Sequence, residues 1–210
     1  MPANYLHGIE TIEILKGPVP VREVKSAVIF LVGTAPVHLT KPNDVTEQDW
    51  YDQTVNTPVL ILRREDGIKY FGDATSGYTI PYALDAIFDH GGSTIIVVNV
   101  FDPRVHKNNQ NQPDPAVVTS ADIIGTYDST TGRRTGLKII NELYSTFGFT
   151  AKLILAPVYC SSSAVMAEMV SLCETNRALA LIDAPVGMTP QQAINARGAK
   201  VSSTHLPIEQ

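Results

Sequence analysis

Val28-Ile-Phe-Leu-Val-Gly-Thr-Ala-Pro36 is an unbroken apolar run closed by Gly33, the pattern of a central strand buried on both faces. Upstream, Tyr5-Leu-His-Gly-Ile-Glu-Thr-Ile-Glu-Ile-Leu-Lys16 alternates, with Ile12 and Ile14 on one face and Thr11, Glu13 and Leu15 on the other. Gly17-Pro18-Val19-Pro20 then breaks any regular pairing between the two segments. The first segment therefore reads as an extended arm that precedes a domain. A strand without a hairpin partner suits addition to a neighbour's sheet, a route to polymerisation.

Outward from that strand, apolar runs rich in Val, Ile and Leu recur at Ser26 to Val32, Pro58 to Leu62, Thr94 to Phe101, Lys152 to Ala156 and Ala178 to Ile182. Their continuity is that of strands covered on both faces. Amphipathic segments lie between them. Ile80 to His90 ends at Gly91-Gly92; Thr135 to Phe147 stops at Gly148; Ser163 to Arg177 gathers Val165, Met166, Met169, Val170 and Cys173 on one face. Thr189-Pro-Gln-Gln192 combines a cap residue, proline at the first helical position and a glutamine completing a capping box, so a last helix runs to about Arg197. Val37 to Asn56, around the single Trp50, reads as a loop or small excursion, and the polar Pro103 to Pro115 as a mobile loop. The expected fold is α/β, a layered sheet with flanking helices preceded by an extended strand-donor arm: arm 1–22, domain 23–200 and irregular tail 201–210.

At 210 residues and 44% hydrophobic content the chain can bury a sizeable core. A net charge of -5, with Arg63-Arg64 and Arg133-Arg134 as the only basic doublets, argues against nucleic acid. The longest apolar runs are strand-sized, too short for a membrane span, and the N-terminus has no secretory pattern. Cys160 and Cys173 lack zinc spacing and read as buried thiols; the five histidines, at 7, 38, 90, 106 and 205, never approach ligand spacing and read as surface or capping residues.

The turns after strands, where an α/β fold keeps ligands, offer little chemistry. Gly125 to Gly136 has glycines and hydroxyls ahead of a helix but no phosphate-loop lysine; a hairpin turn with Thr135 as cap accounts for it. Ser162, Asp183 and His205 reproduce the order of an α/β hydrolase triad, yet Cys160 and Ala164 stand where a nucleophile elbow needs glycine, and helix capping is the simpler role for Ser161 to Ser163. No cofactor, metal or catalytic site emerges.

Taken in order, Leu6-His-Gly-Ile-Glu, Ala27-Val-Ile-Phe-Leu-Val-Gly-Thr-Ala, Asn56-Thr-Pro-Val-Leu-Ile, Pro81-Tyr-Ala-Leu-Asp-Ala-Ile-Phe to Ile96-Val-Val-Asn-Val, Ile123-Ile-Gly-Thr, Thr135-Gly-Leu-Lys, Lys152-Leu-Ile-Leu-Ala-Pro and Arg177-Ala-Leu-Ala-Leu-Ile-Asp-Ala-Pro resemble the N-terminal half of the tail sheath proteins of contractile-tailed bacteriophages and R-type tailocins. The weight lies in their order, across nearly the whole chain. The resemblance implies a structural virion protein, not an enzyme, assembled in the bacterial host cytoplasm. It implies hexameric rings of sheath subunits stacked around a tail tube, with a baseplate that releases contraction. It also implies an arm, with Tyr5, Leu6, His7, Gly8, Ile9, Ile12 and Ile14 at the subunit interface, that completes a neighbour's sheet. Arg133, Arg134, Lys138 and Lys152 are the candidates for facing the tube.

Family members continue past the segment matching Thr189 to Arg197 into a further domain and a C-terminal arm. This sequence stops at Gln210, so the expectation is a body that folds but builds no contractile tube alone. A truncated gene product, a fragment, and a half completed by another chain all fit. Two other classes stay open: a binding module that docks on an intact sheath protein, and a hydrolase using Ser162, Asp183 and His205.

Overall fold

The structure, a computed structural model, describes residues 27–197. Its centre is β1 (Val28–Gly33), buried along its whole length. Valine and isoleucine fit the pleated strand because their branched side chains are stiff and pack on both sides. Val28, Phe30 and Val32 enter one core; Ile29 and Leu31 enter the other.

The chain then forms α1 (Glu47–Thr54), β2 (Val59–Ile61), α2 (Arg64–Phe71) and α3 (Ile80–Asp89) before returning as β3 (Thr94–Asn99). Beyond β3 come α4 (Ser120–Ile124), a 3-10 segment (Gly136–Glu142) that runs into α5 (Leu143–Phe147), β4 (Leu153–Leu155), α6 (Ser163–Asn176), β5 (Leu179–Leu181) and α7 (Pro190–Arg197). The five strands lie in the order β2-β3-β1-β4-β5. All neighbours are parallel except β2, which runs antiparallel along β3. Every expected strand is present, and the α/β class with flanking helices holds.

One helical layer, α1 to α3, packs Trp50, Phe71, Ile80 and Leu84 against Ile29, Leu31, Ile95 and Val97. The other, α4 to α6 with the 3-10 segment, packs Ile123, Leu137, Leu143, Val165 and Met169 against Phe30, Ile96, Val98 and Ile154. Burying side chains of this size is worth about 1.5–3 kcal/mol each. Gly67 lets α2 press on α3: a Cβ there would sit 3.0 Å from Leu84 Cδ1. Arg64 ties the same pair of helices by ion pairs to Asp85 and Asp89.

Three expectations need correction. Val37 to Asn56 is not merely a loop, because α1 forms within it, capped by Thr46 and held by Trp50, 3% exposed, whose indole donates to the Val37 carbonyl at 2.8 Å. The polar residues obscured a short helix pinned by one aromatic. α2, which begins at Arg64, is in addition a helix for which no expectation had been set. Thr135 to Phe147 is 3-10 for most of its length and α-helical only from Leu143. Finally, β5 is not covered on both faces: Leu179 and Leu181 are 42% and 46% exposed.

The layers meet at the carboxyl end of β3. Asn99, fully buried, accepts through Oδ1 from Ala35 N and Phe101 N, each at 3.0 Å, and donates through Nδ2 to Phe101 O at 2.9 Å. Its carbonyl accepts from Asn56 N at 2.8 Å, and Asn56 Oδ1 in turn accepts from Gly136 N at 3.0 Å. Asn99→Ala leaves several buried polar groups unpaired and is expected to cost about 3 kcal/mol in urea unfolding. Leu62→Ala, at an exposed position, should stay within about 0.5 kcal/mol. Equal costs for the two would refute this account of Asn99.

Candidate functional site

In a sheet whose chain reverses direction beside β1, the crevice at the strand carboxyl ends is the usual ligand position. Here protein atoms occupy much of it. Thr34 N donates to Thr79 Oγ1 at 3.0 Å, Thr79 N donates to Thr34 Oγ1 at 3.2 Å, and the Thr34 carbonyl accepts from Ile80 N at 3.0 Å. The start of α3, where an anion would meet free amides, is thereby engaged by Thr34. Gly33 permits this closeness, since a Cβ there would lie 2.3 Å from Thr79 Oγ1.

Next to it opens a cleft of about 610 Å³ lined by Tyr78, Asp114, Pro115, Val118, Val158 and Tyr159. Burial pushes the Tyr78 and Tyr159 hydroxyls up, so both are neutral donors at physiological pH. Asp114 Oδ1 is committed to Ala116 N at 2.9 Å. The lining mixes apolar and phenolic groups with Ser76, Thr79 and this one carboxylate, and since the Thr79 hydroxyl and Asp114 Oδ1 already hold hydrogen bonds it suits packing better than proton transfer.

A second cluster surrounds His106, which was expected as a surface or capping residue and is 8% exposed, stacked on Phe101. Its Nδ1 accepts from Asp102 N at 2.9 Å, and Nε2 lies 3.7 Å from Asp122 Oδ2. Asp122 accepts from the Thr119 amide and hydroxyl in a capping box at the start of α4. Burial raises both carboxyls, but hydrogen bonds outweigh it, from Arg104 at Asp102 and from Thr119 at Asp122, so each is held below the usual carboxylate range. Asp102 also holds Arg104 at 2.8 Å. Within the 103–115 segment the Asp114 amide donates to the His106 carbonyl at 3.0 Å, and the segment closes on itself through Asn108, whose Oδ1 accepts from Gln110 N and Gln112 N. The polar composition hid these local bonds; the spacing Asp102-Pro-Arg-Val-His106 was the only available hint of them.

The candidate triad is not brought together by what the structure describes. Ser162 Oγ accepts from Ser120 Oγ at 3.1 Å, and Ser162 stands at the N-cap of α6 without a side-chain capping bond. Asp183 sits instead at Cys160, with its amide 3.4 Å from the sulfur. His205 lies outside the described residues, as do His7, the 1–22 arm with Tyr5, Leu6, Gly8, Ile9, Ile12 and Ile14, and the 201–210 tail. His90 is exposed, with Nδ1 2.7 Å from the Ala86 carbonyl, while His38 packs on Tyr78 and Phe101.

Gly125 to Gly136 is a hairpin, with Tyr127 bridging Arg134, although Thr135 uses its hydroxyl to accept from Thr126 N rather than to cap the next segment. Of the candidate tube-facing cations, Arg134 is engaged by Glu142 at 2.8 Å and covers the Tyr127 ring. Cys160 is buried, and burial pushes the Cys173 thiol up to about 11. Among the described residues no group of three His, Cys, Asp or Glu could hold a metal, and no helix is long and apolar enough to cross a membrane.

The described body is therefore an α/β module whose polar clusters fasten loops to helices. Comparison with known proteins gives its kinship. The chain is 34% identical, over a 267-residue alignment covering 94% of its length and 52% of the relative, to the tail sheath protein of Burkholderia phage BcepMu. It is 32% identical over 62% of its length to a putative prophage major tail sheath protein of Pseudomonas aeruginosa, and 26% identical over 87% to the tail sheath protein of Escherichia phage P2. No family model matches. The chain is a homologue of tail sheath proteins, as its ordered segments suggested. It spans about half the length of the BcepMu relative and less of the other two. The BcepMu match, at 267 residues, is longer than the 210-residue chain, so that relative carries stretches inside the matched span that this chain does not have.

Asp102 and Asp122, both held low in the fold, stabilise it above the ordinary carboxylate range, and that stability is lost as pH falls through their folded values. Urea midpoints should drop between pH 7 and pH 3, and by less in Asp122→Asn. An equal drop in the variant would show that Asp122 does not carry this linkage.

Proposed function

We propose that this chain is a structural component of a contractile tail sheath and acts by assembly, without catalysis. The observation that carries the reading is the match to the BcepMu tail sheath protein across 94% of the chain. The chemistry agrees with it: the strand-end crevice is largely occupied by Thr34 and Thr79, and Ser162 and Asp183 have other partners. In this reading the body is a rigid unit that moves as a whole while backbone pairing between chains keeps neighbours joined.

The partners would be other sheath subunits in six-membered rings, a tail tube within them and a baseplate that triggers shortening. The product would reside in the virion after assembly in the bacterial cytoplasm. Residues 1–22 form the connecting arm, with Tyr5, Leu6, His7, Gly8, Ile9, Ile12 and Ile14 pairing along a neighbour's sheet, and residues 23–200 form the body. Energy for contraction would be stored at assembly and released by rearrangement of subunits, so no nucleotide site is required.

The test is size-exclusion chromatography with light scattering across concentration, alone and with the full-length BcepMu tail sheath protein, followed by negative-stain imaging. Rings, discs or incorporation into sheath polymers are expected. Removing Met1 to Lys16 should abolish association while shifting the thermal midpoint of the body little. A chain that stays monomeric and ignores the full-length sheath protein would overturn the proposal, and an arm-less chain that still assembles would remove the donor role.

A further inference from the structure

The two edges of the sheet differ. β2 is entered through Pro58 and left through Arg63, which blunt an edge, and α2 packs beside it. β5 is likewise flanked by charge, Arg177 before it and Asp183 after it, and α6 packs beside it, but it differs in exposure: β2 is partly or fully buried, whereas Leu179 and Leu181 are exposed. Ala178-Leu-Ala-Leu-Ile182 is wholly apolar, and no strand lies beyond it among the described residues. Leu179 N donates inward to the Lys152 carbonyl at 2.8 Å, so strand alternation turns the N–H and C=O of Ala180 to the free edge.

The side chains tell the same story. Register aligns two rows across one face, Ile95-Ile29-Leu153-Leu179 and Val97-Leu31-Leu155-Leu181. α1 to α3 bury the β3 and β1 ends of these rows, Leu153 and Leu155 are half-buried, and Leu179 and Leu181 are exposed. On the opposite face, where Ala180 and Ile182 pack against the core, the end of α6 and β5 frame a cleft of about 260 Å³ whose lining includes Val170, Cys173, Glu174, Arg177, Ala180 and Ile182. Side chains of a strand laid along β5 would enter that cleft on one face and lengthen the leucine rows on the other.

The helix beyond β5 points the same way. α7 is well started, with Thr189 and Gln192 exchanging capping bonds, yet Ile194 is 62% exposed and the helix is exposed over most of its described surface. A helix leaving a parallel strand is the first half of a crossover to another strand. We infer that the free edge of β5 is an acceptor for one further strand, apolar on the face that continues the leucine rows. Its source is the polypeptide that the tail sheath relatives carry outside the span matched by this chain. This inference rests on the sheath reading, because that reading supplies the occupant, and the relatives have the length: the match takes up 52%, 30% and 41% of the three.

The test mixes this chain with the part of the BcepMu tail sheath protein outside the matched span, produced on a soluble fusion partner. A complex is expected in which the β5 amides turned to the edge, Ala180 first, exchange at least tenfold more slowly. Alkylation of Cys173, followed near pH 9 because its thiol is raised to about 11, should slow to a similar degree. Leu181→Lys and, separately, Leu179→Lys should each weaken binding at least tenfold without moving the thermal midpoint, since both side chains are exposed in the free chain.

Absence of a complex, or a complex that leaves the β5 amides and Cys173 unchanged, would overturn the inference. So would protection of the same amides in the chain alone as its concentration rises, which assigns the edge to a second copy. Protection by a second copy would overturn this inference while agreeing with self-assembly, and a missing complex leaves entry into sheath polymers to its own test, so failure here and failure of the sheath reading are separable.

Discussion

The carboxamide of Asn99 is the joint on which this architecture depends. Placed at the end of β3, it supplies partners for the backbone leaving β1 and for its own strand's exit, while the main-chain carbonyl of Asn99 receives the amide of Asn56, just beyond α1. Asn56 then reaches Gly136 at the start of the opposite layer. Apolar burial on the two faces gives the sheet its stability but is indifferent to how the loops leave it; directional bonds in a low-dielectric interior set those exits. Two asparagines thereby connect both helical layers through the sheet.

That joint also bears on function. With the Thr34–Thr79 pair beside it, the end of the sheet that commonly holds a ligand is largely given over to the protein's own groups. The surface that is incomplete lies at the other side, along β5, where leucines face solvent and a capped helix departs with little to pack on. In the proposed role such edges matter more than pockets, because backbone pairing between chains lends connection without requiring any one side chain to be reactive.

Much of this was legible in the sequence, and the reason is periodicity. β1 and β3 are continuous branched runs because both faces are covered, and α3 and α6 announce themselves by their apolar spacing and by Gly91-Gly92 and Arg177 at their ends. α1 was hidden because a single buried tryptophan anchors an otherwise polar helix, and the burial of His106 because its partners are a backbone amide and the Phe101 ring. The exposed leucines of β5 were misread because an apolar run looks the same whether its faces are covered here or by another polypeptide. The kinship was legible from ordered short segments. A cofactor fold would have shown a phosphate loop, whereas an assembly surface has no such fixed spacing.

The central claim, that the chain serves as a sheath component, is tested most directly on particles made by the genome that encodes it. Antibody raised against the exposed Asn109 to Gln112 turn would be applied to contractile tails and imaged by electron microscopy. The account predicts label repeating at regular intervals along the tail shaft, in both extended and contracted particles. Tails that carry no label, from cells in which the chain is abundant and soluble, would contradict it.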